Sequence, residues 1–350
     1  MQSRIDKLCE KMHDNEAVFI SSYPNIFYYS GFTSEDAYLL ISHSGKYIIT
    51  DSRYTIQARE QAKGFEVIDI AKGFEKIFSR IDEKYIGFEE SYMSVGENKR
   101  IRAKLKDGQD FVEMQNLINK PREIKDKCEI KKIAEAEKIG DMAFEYVLGR
   151  IKEGVTEREI ALDLEFFMKK QGATALSFDT ISASGIRSAM PHGIATDKKI
   201  ENGDFLTLDF GCVFEGYCSD MTRTVVVGKA NDKQKEIYNT VLKAQTTAID
   251  VIKAGMKCSE VDGVARKIIT DAGYGENFGH SLGHSVGIEI HENPSFSPKS
   301  NAVVQNGNVI TVEPGIYIDG FGGVRIEDLI VVQNGKAVNL TSSPKELIEI

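Results

Sequence analysis

The chain has 350 residues, of which 41% are hydrophobic and 28% charged. That length and balance make two folded domains the natural expectation and exclude long low-complexity stretches. Acidic residues outnumber basic ones, 53 to 44, for a formal charge of −9. This argues against a nucleic-acid or anionic-membrane partner, and no uncharged apolar run approaches a membrane span. The opening MQSRIDKLCEKMHDNEAVFI scatters charge through the stretch where a signal peptide needs an apolar core. Five cysteines (Cys9, Cys128, Cys212, Cys218, Cys258), odd in number and without a CxxC pair, fit a reducing cytoplasm with the thiols as packing residues.

In chain order, AVFI (17–20), AYLLIS (37–42) and KYIIT (46–50) read as strands, the last two joined at Ser44-Gly45. TIQAREQAK (55–63) reads as a helix, FEVIDI (65–70) as a strand, and the stretch near Asn98–Leu105 as another helix. Together they predict a small α/β domain over residues 1–120. Apolar residues disappear in NKPREIKDK (119–127) and Pro121 interrupts any helix there, which places the boundary and assigns 121–350 to a second domain. From Asp126 to about Ile151, the residues Ile139, Met142, Ala143, Tyr146 and Val147 share one helical face, predicting a solvated surface helix.

The second domain carries an internal repeat. Ile151-Lys-Glu-Gly154-Val155 recurs 101 residues later as Ile252-Lys-Ala-Gly255-Met256. Each copy precedes a helix that ends at a glycine, Gly172 and Gly273, and Thr156 with Glu159 forms a capping-box pattern on the first. Glu201-Asn-Gly-Asp-Phe-Leu-Thr-Leu-Asp209 matches Gln305-Asn-Gly-Asn-Val-Ile-Thr-Val-Glu313 at an offset of 104. Duplicated α/β halves related by a pseudo-twofold are expected.

Both copies end an apolar strand in a carboxylate, Asp209 and Glu313, and a buried acid needs a cation or a proton. Asp220 follows a turn near Phe214-Glu215, which would set it opposite Asp209; Glu327 and Glu313 are symmetric about Gly320. Four converging carboxylates require shared protons, arginines or metal ions, and Arg325 can neutralise at most one of them. Gly279-His280-Ser-Leu-Gly283-His284 offers imidazoles four residues apart, without the glutamate of HExxH. One histidine among bridging carboxylates suits a pair of divalent ions such as Mn, Co or Zn.

These residues resemble the pita-bread metallopeptidases, a family that includes methionine aminopeptidase, aminopeptidase P and prolidase. The resemblance rests on Asp209 with Asp220, on His284 in GHSLGHSVG, on Glu313 in VEPGIY and on Glu327 in GVRIED. Asn25-Ile-Phe-Tyr-Tyr-Ser-Gly-Phe32 and the linker Arg122–Ile130 are similar to the creatinase-type N-terminal half of the proline-specific members. The resemblance implies an α+β protein: a creatinase-like domain followed by a pita-bread domain with duplicated halves. It also implies two metal ions, one held by Asp209, Asp220 and Glu327 and the other by Asp220, His284, Glu313 and Glu327. His192, His291 and His280 correspond to active-site histidines, Arg325 and Tyr317 to residues supporting the acids, and Phe178 to a wall of a proline-sized pocket.

The implied activity is hydrolysis of the Xaa-Pro bond by attack of a metal-activated hydroxide, with Glu313 exchanging the proton and His291 and His192 donating to the oxyanion or to the scissile amide. The substrate would be a peptide with proline at its second position, and family members of this kind are often homodimers. Some relatives carry an arginine at the position of Ser295, and its absence tilts the reading towards aminopeptidase P over a prolidase restricted to dipeptides. A metal-free creatinase-like hydrolase and a non-catalytic binding protein are weaker alternatives, because both tend to lose the ligand set that is intact here.

Overall fold

A computed structural model describes residues 2–350. The chain divides into two compact units, Met1–Arg122 and Glu123–Ile350. No helix among the described residues is long and apolar enough to cross a membrane.

In the first unit the chain runs α1 (Gln2–Cys9), β1 (Glu16–Ile20), α2 (Tyr23–Ser30), β2 (Ala37–Ile41), β3 (Lys46–Thr50), α3 (Thr55–Gln61) and β4 (Glu66–Asp69). It continues through α4 (Phe74–Phe78), β5 (Tyr85–Phe88), α5 (Val95–Arg102), β6 (Asp110–Glu113) and α6 (Gln115–Asn119). The strands form one mixed sheet in the order β4-β3-β2-β1-β5-β6. Phe19, Phe74, Phe78 and Phe111 pack on it as a buried aromatic cluster. The predicted elements are present, with α5 starting three residues earlier than its apolar pattern suggests because Ser94 caps it by accepting from Glu97 N. Asn25–Ser30 of the motif Asn25–Phe32 lies in α2, which closes at Gly31 in the left-handed region (φ 76°).

The predicted solvated linker is different in detail. Residues 120–123 form a 3-10 turn, and Arg122 and Lys125 are buried despite their charge. Lys125 Nζ lies 3.1 Å from Glu292 Oε2 with both side chains almost fully enclosed, and that pairing permits the burial.

The second unit opens with α7 (Lys127–Leu148), whose capping box uses Asp126 and Glu129. The expected solvated helix is in fact largely covered: Ile133, Ala136, Ile139, Phe144 and Val147 are buried, and so are Glu129 and Glu137. Then come α8 (Glu157–Lys170), β7 (Ala175–Leu176), β8 (Ile181–Ser184), β9 (Phe205–Phe210), β10 (Cys212–Phe214), β11 (Tyr217–Cys218) and β12 (Met221–Val226). The second half holds α9 (Asp232–Val251), α10 (Cys258–Asp271), β13 (Gly283–Ser285), β14 (Glu292–Phe296), β15 (Val309–Val312), β16 (Gly315–Ile318), β17 (Gly322–Arg325), β18 (Asp328–Gln333) and β19 (Lys336–Asn339). Cys212, Cys218 and Cys258 are packing residues as expected, Cys9 is partly exposed, and Cys128 is exposed.

The repeat is physical. Gly154 and Gly255 adopt φ 88° and 94°, and their N–H groups donate to Ile200 O and Val304 O respectively. Gly203 and Gly307 both sit at φ 91°, each followed by a side-chain oxygen (Asp204, Asn308) that accepts the N–H three residues before it. Helices α7 and α8 cover the sheet β12-β9-β8, while α9 and α10 cover β14-β13-β15-β18-β19, with Leu206, Leu208 and Phe210 in one core and Ile310, Val312 and Ile330 in the other. The two halves meet where Glu327 N donates to Thr222 O.

Candidate metal centre

Strand pairing brings the acids together. The pair β15–β18 matches Val312 with Asp328 and the pair β16–β17 matches Gly315 with Arg325, so Glu313 and Glu327 face each other in a register centred on Gly320, as the sequence predicts. The first hairpin turns one position later than expected, at Glu215-Gly216, both with positive φ. Asp209 therefore opposes Thr222, and Asp220 lies two residues along on the same face, diagonal to Asp209 rather than opposite it. Carboxylate oxygens of Asp209, Asp220 and Glu327 lie within 4.8 Å of one another.

His284 closes the group from β13, where a bulge between His284 and Ser285 re-aims the strand. Its Nε2 is 3.4 Å from Asp220 Oδ2 and 3.4 Å from Glu313 Oε1. Its Nδ1 faces Ser285 O at 3.2 Å, an arrangement that selects the tautomer with the Nε2 lone pair aimed at the acids. Burial depresses the affinity of His284 for a second proton, which keeps that lone pair available.

Each acid is also oriented from behind. Arg325 Nη2 donates to Asp209 Oδ2 (2.6 Å), its Nε to Thr222 Oγ1 (3.0 Å) and its Nη1 to Tyr317 OH (2.8 Å). Thr222 Oγ1 donates onward to Glu327 Oε2 at 2.7 Å, and Thr311 Oγ1 to Glu313 Oε1 at 2.9 Å. Glu137 Oε2 accepts Asp220 N from beneath, at 3.2 Å. Sequence reasoning missed Thr222, Thr311 and Glu137. Two of them left a trace: Thr311 stands two residues before Glu313, on the same strand face, and Glu137 falls four residues from Ile133 on the buried face of α7.

The site is built for cations. Asp209 Oδ1 and Glu327 Oε1 are buried and accept no hydrogen bond among the described residues, although their partner oxygens are both engaged. Burial, followed by the neighbouring acids, drives the Asp220 and Glu327 carboxyls far above the usual carboxylate range. Burial lifts Glu313 to about 7 against the pull of Arg325. Acids this reluctant to ionise, with oxygens aimed at one place and one imidazole beside them, fit oxygen-seeking divalent ions.

A cavity of about 390 Å³ opens over these groups. Phe178, His192, Asp209, Asp220, His280, His284, His291, Glu313, Arg325 and Glu327 all line it, joined by Ile181, Pro191, Ile290 and Ser295. The His291 ring lies 4.3 Å from that of His284, centroid to centroid. Tyr317 acts from the side, its hydroxyl 3.0 Å from His280 Nε2. Burial and then Arg325 lower His280 to about 4, so it stands neutral, while burial raises Tyr317 to about 12.

Residues 131–334 match metallopeptidase family M24 and residues 4–124 match the Creatinase/Prolidase N-terminal domain. The chain belongs to metallopeptidase family M24, with a creatinase-like N-terminal domain preceding a pita-bread domain. It is similar to the Xaa-Pro dipeptidase of Pyrococcus horikoshii, at 42% identity over 99% of both chains. Among solved structures it resembles an Xaa-Pro dipeptidase from Bacillus anthracis (44% identity, TM-score 0.96, covering 100% of this chain and 99% of that one). It also resembles an X-Pro aminopeptidase from Thermotoga maritima (39% identity, TM-score 0.92, covering 99% and 100%).

Proposed function

We propose that this chain hydrolyses the peptide bond between a first residue and proline, using two divalent cations held by Asp209, Asp220, His284, Glu313 and Glu327. The observation that carries the reading is the convergence of these donors, with two orphaned buried oxygens, at the floor of a cavity walled by Phe178, Ile181 and Pro191. Bound there, the cations would supply Lewis-acid polarisation of the carbonyl and acidify the attacking water.

The protein's own groups supply the rest. Glu313, lining the cavity, is suited in this reading to take a proton from water and deliver it to the departing proline nitrogen, which has no N–H of its own. His192 and His291 line the cavity wall and in this reading would donate to the developing oxyanion. Arg325 and Thr222 hold one oxygen each of Asp209 and Glu327, leaving Asp209 Oδ1 and Glu327 Oε1 available to the ions.

Within this reading the Xaa-Pro dipeptide takes first place, supported by the dipeptidases of Bacillus anthracis and Pyrococcus horikoshii, both above 40% identity. Removal of the first residue from longer peptides is the second reading. It is favoured by Ser295 in the cavity wall and by Arg325, the one arginine or lysine among the described lining residues, being engaged with Asp209, Thr222 and Tyr317. Neither offers an obvious clamp for a free proline carboxylate. The test is hydrolysis of Xaa-Pro and Xaa-Pro-Yaa side by side by the manganese-loaded protein. Cleavage of the dipeptide alone supports the first reading, release of the first residue from the tripeptide supports the second, and cleavage of neither refutes both.

A further inference from the structure

Glu157 opens α8 and is fully buried, yet it belongs to none of the groups above. Its Oε1 accepts from Ser184 N (2.8 Å) and Ser184 Oγ (2.9 Å); its Oε2 accepts from Thr196 N (3.1 Å) and Thr196 Oγ1 (2.7 Å). Arg187 Nε lies 3.2 and 3.1 Å from the two oxygens, and Arg187 Nη2 donates to Ile194 O at 2.7 Å. One carboxylate therefore grips the start, the body and the end of the segment 184–196. That segment, tied back to the start of β8 by the bridge Ile181↔Ile194, carries Pro191 and His192 to the cavity wall.

The opposite side of the segment is seated on β17. Gly323 N donates to Ser188 Oγ at 2.8 Å, and a Cβ at Gly323 would stand 2.4 Å from Ser188 O, so only glycine permits that approach. The segment is clamped between a buried charge and a glycine-flat strand.

The duplication shows that this carboxylate is not a requirement of the fold. The position 101 residues later, which opens α10 in the second half, is Cys258, buried and apolar. The capping glutamates Glu159 and Glu260 are shared between the two helices, each accepting the N–H three residues before it. What the first half adds is a buried acid under a loop that faces the site.

We propose that Glu157 is the positioning residue that holds His192 in place for the hydrolysis. The inference rests on the Xaa-Pro reading for its kinetic readout and stands on its own for its structural one. Without this carboxylate five donors lose their common acceptor, and a histidine displaced by about 1 Å loses much of its contribution to the transition state.

The test compares the manganese-loaded wild type with Glu157→Gln, His192→Ala and the double variant, by steady-state kinetics on Xaa-Pro and by amide hydrogen exchange. The expected result for Glu157→Gln is a kcat lower by roughly 10- to 100-fold, with KM changed by about twofold or less. Loss of protection should be confined to 184–196, and the His192→Ala background should show little further loss of kcat, because both changes remove one contribution. An undiminished kcat overturns the proposal, as does a loss fully multiplicative with that of His192→Ala. Unchanged exchange at Ser184 and Thr196 does the same. If Glu157→Gln fails to fold, Thr196→Val, which removes one donor to Glu157 together with the acceptor of Lys198 N, is read by the same criteria. A wild type that cleaves neither peptide refutes the functional reading, and the exchange data then decide the clasp by themselves.

Discussion

Arg223 provides the sharpest test of how the acid cluster is supported. Its side chain is enclosed, and all five of its N–H bonds are used: Nε to Pro344 O, Nη1 to Thr222 O and Glu327 O, Nη2 to Ser343 O and Asp328 Oδ1. Two of those carbonyls belong to the residues that meet at the join of the two halves. Replacing Arg223 by methionine leaves four carbonyls without this donor, but Asp328 keeps Gln245, Asn339 and Lys345. Replacing Asp328 by asparagine instead leaves the buried Arg223 cation and Lys345 without their shared anion. Removing one partner of a buried ion pair costs about 3–5 kcal/mol. Arg223→Met should fall near the lower figure, because its partner stays paired, and Asp328→Asn near the upper. For a unit of this size that amounts to a fall in Tm of roughly 6–20 °C.

The assay is thermal and urea denaturation followed by circular dichroism, at neutral pH with chelator present so that metal linkage does not mask the difference. Burial would raise the Asp328 pKa, but Arg223 and Lys345 hold it below the usual carboxylate range. A depressed acid stabilises above its unfolded pKa, and this contribution is lost as pH falls through the folded value. Asp328→Asn should therefore flatten the acid limb of the stability profile. Losses below about 1 kcal/mol for both variants, or Arg223→Met costing more than Asp328→Asn, would refute the reasoning.

Three further outcomes are expected. Glu313→Gln should lower kcat for Xaa-Pro by roughly 10²–10⁴-fold while the melting temperature holds, and full activity would remove Glu313 from its role. The Asp220, Glu313 and Glu327 carboxyls sit above their ordinary range in the protein without metal, so they carry protons that a cation must displace. Manganese binding should release protons near pH 6.5 and tighten as pH rises, with the acids as the main source because burial depresses the proton affinity of His284; calorimetry in two buffers of different ionisation heat measures this, and pH-independent binding without proton release contradicts it. Ser295→Arg should bring a second fixed cation to the cavity wall and improve kcat/KM for Xaa-Pro relative to Xaa-Pro-Yaa, whereas an unchanged ratio means the proline carboxylate lies elsewhere.

Much of this site was legible before any coordinates. An acid ending an apolar strand is conspicuous because burial makes it costly, and duplication showed the same anomaly at Asp209 and Glu313. The register centred on Gly320 could be read as well, because an uninterrupted antiparallel hairpin leaves one solution once its turn is located. The Asp209 hairpin misled because Glu215, a residue that rarely adopts positive φ, shares the turn with Gly216.

Local sequence thus determined the strands and helices it was read for, the repeat and the candidate acids, since each depends on periodicity or on the cost of an isolated charge, while the histidine roles came from the family resemblance. Only the tertiary structure decided which oxygens remain free and which are bound to Arg325 or Thr222. It alone showed that Lys125, Arg223 and Glu157 are buried charges rather than surface ones. Their oppositely charged partners lie 30 or more residues away in sequence, and burial of a charge is set by partners that the chain brings together only when it folds.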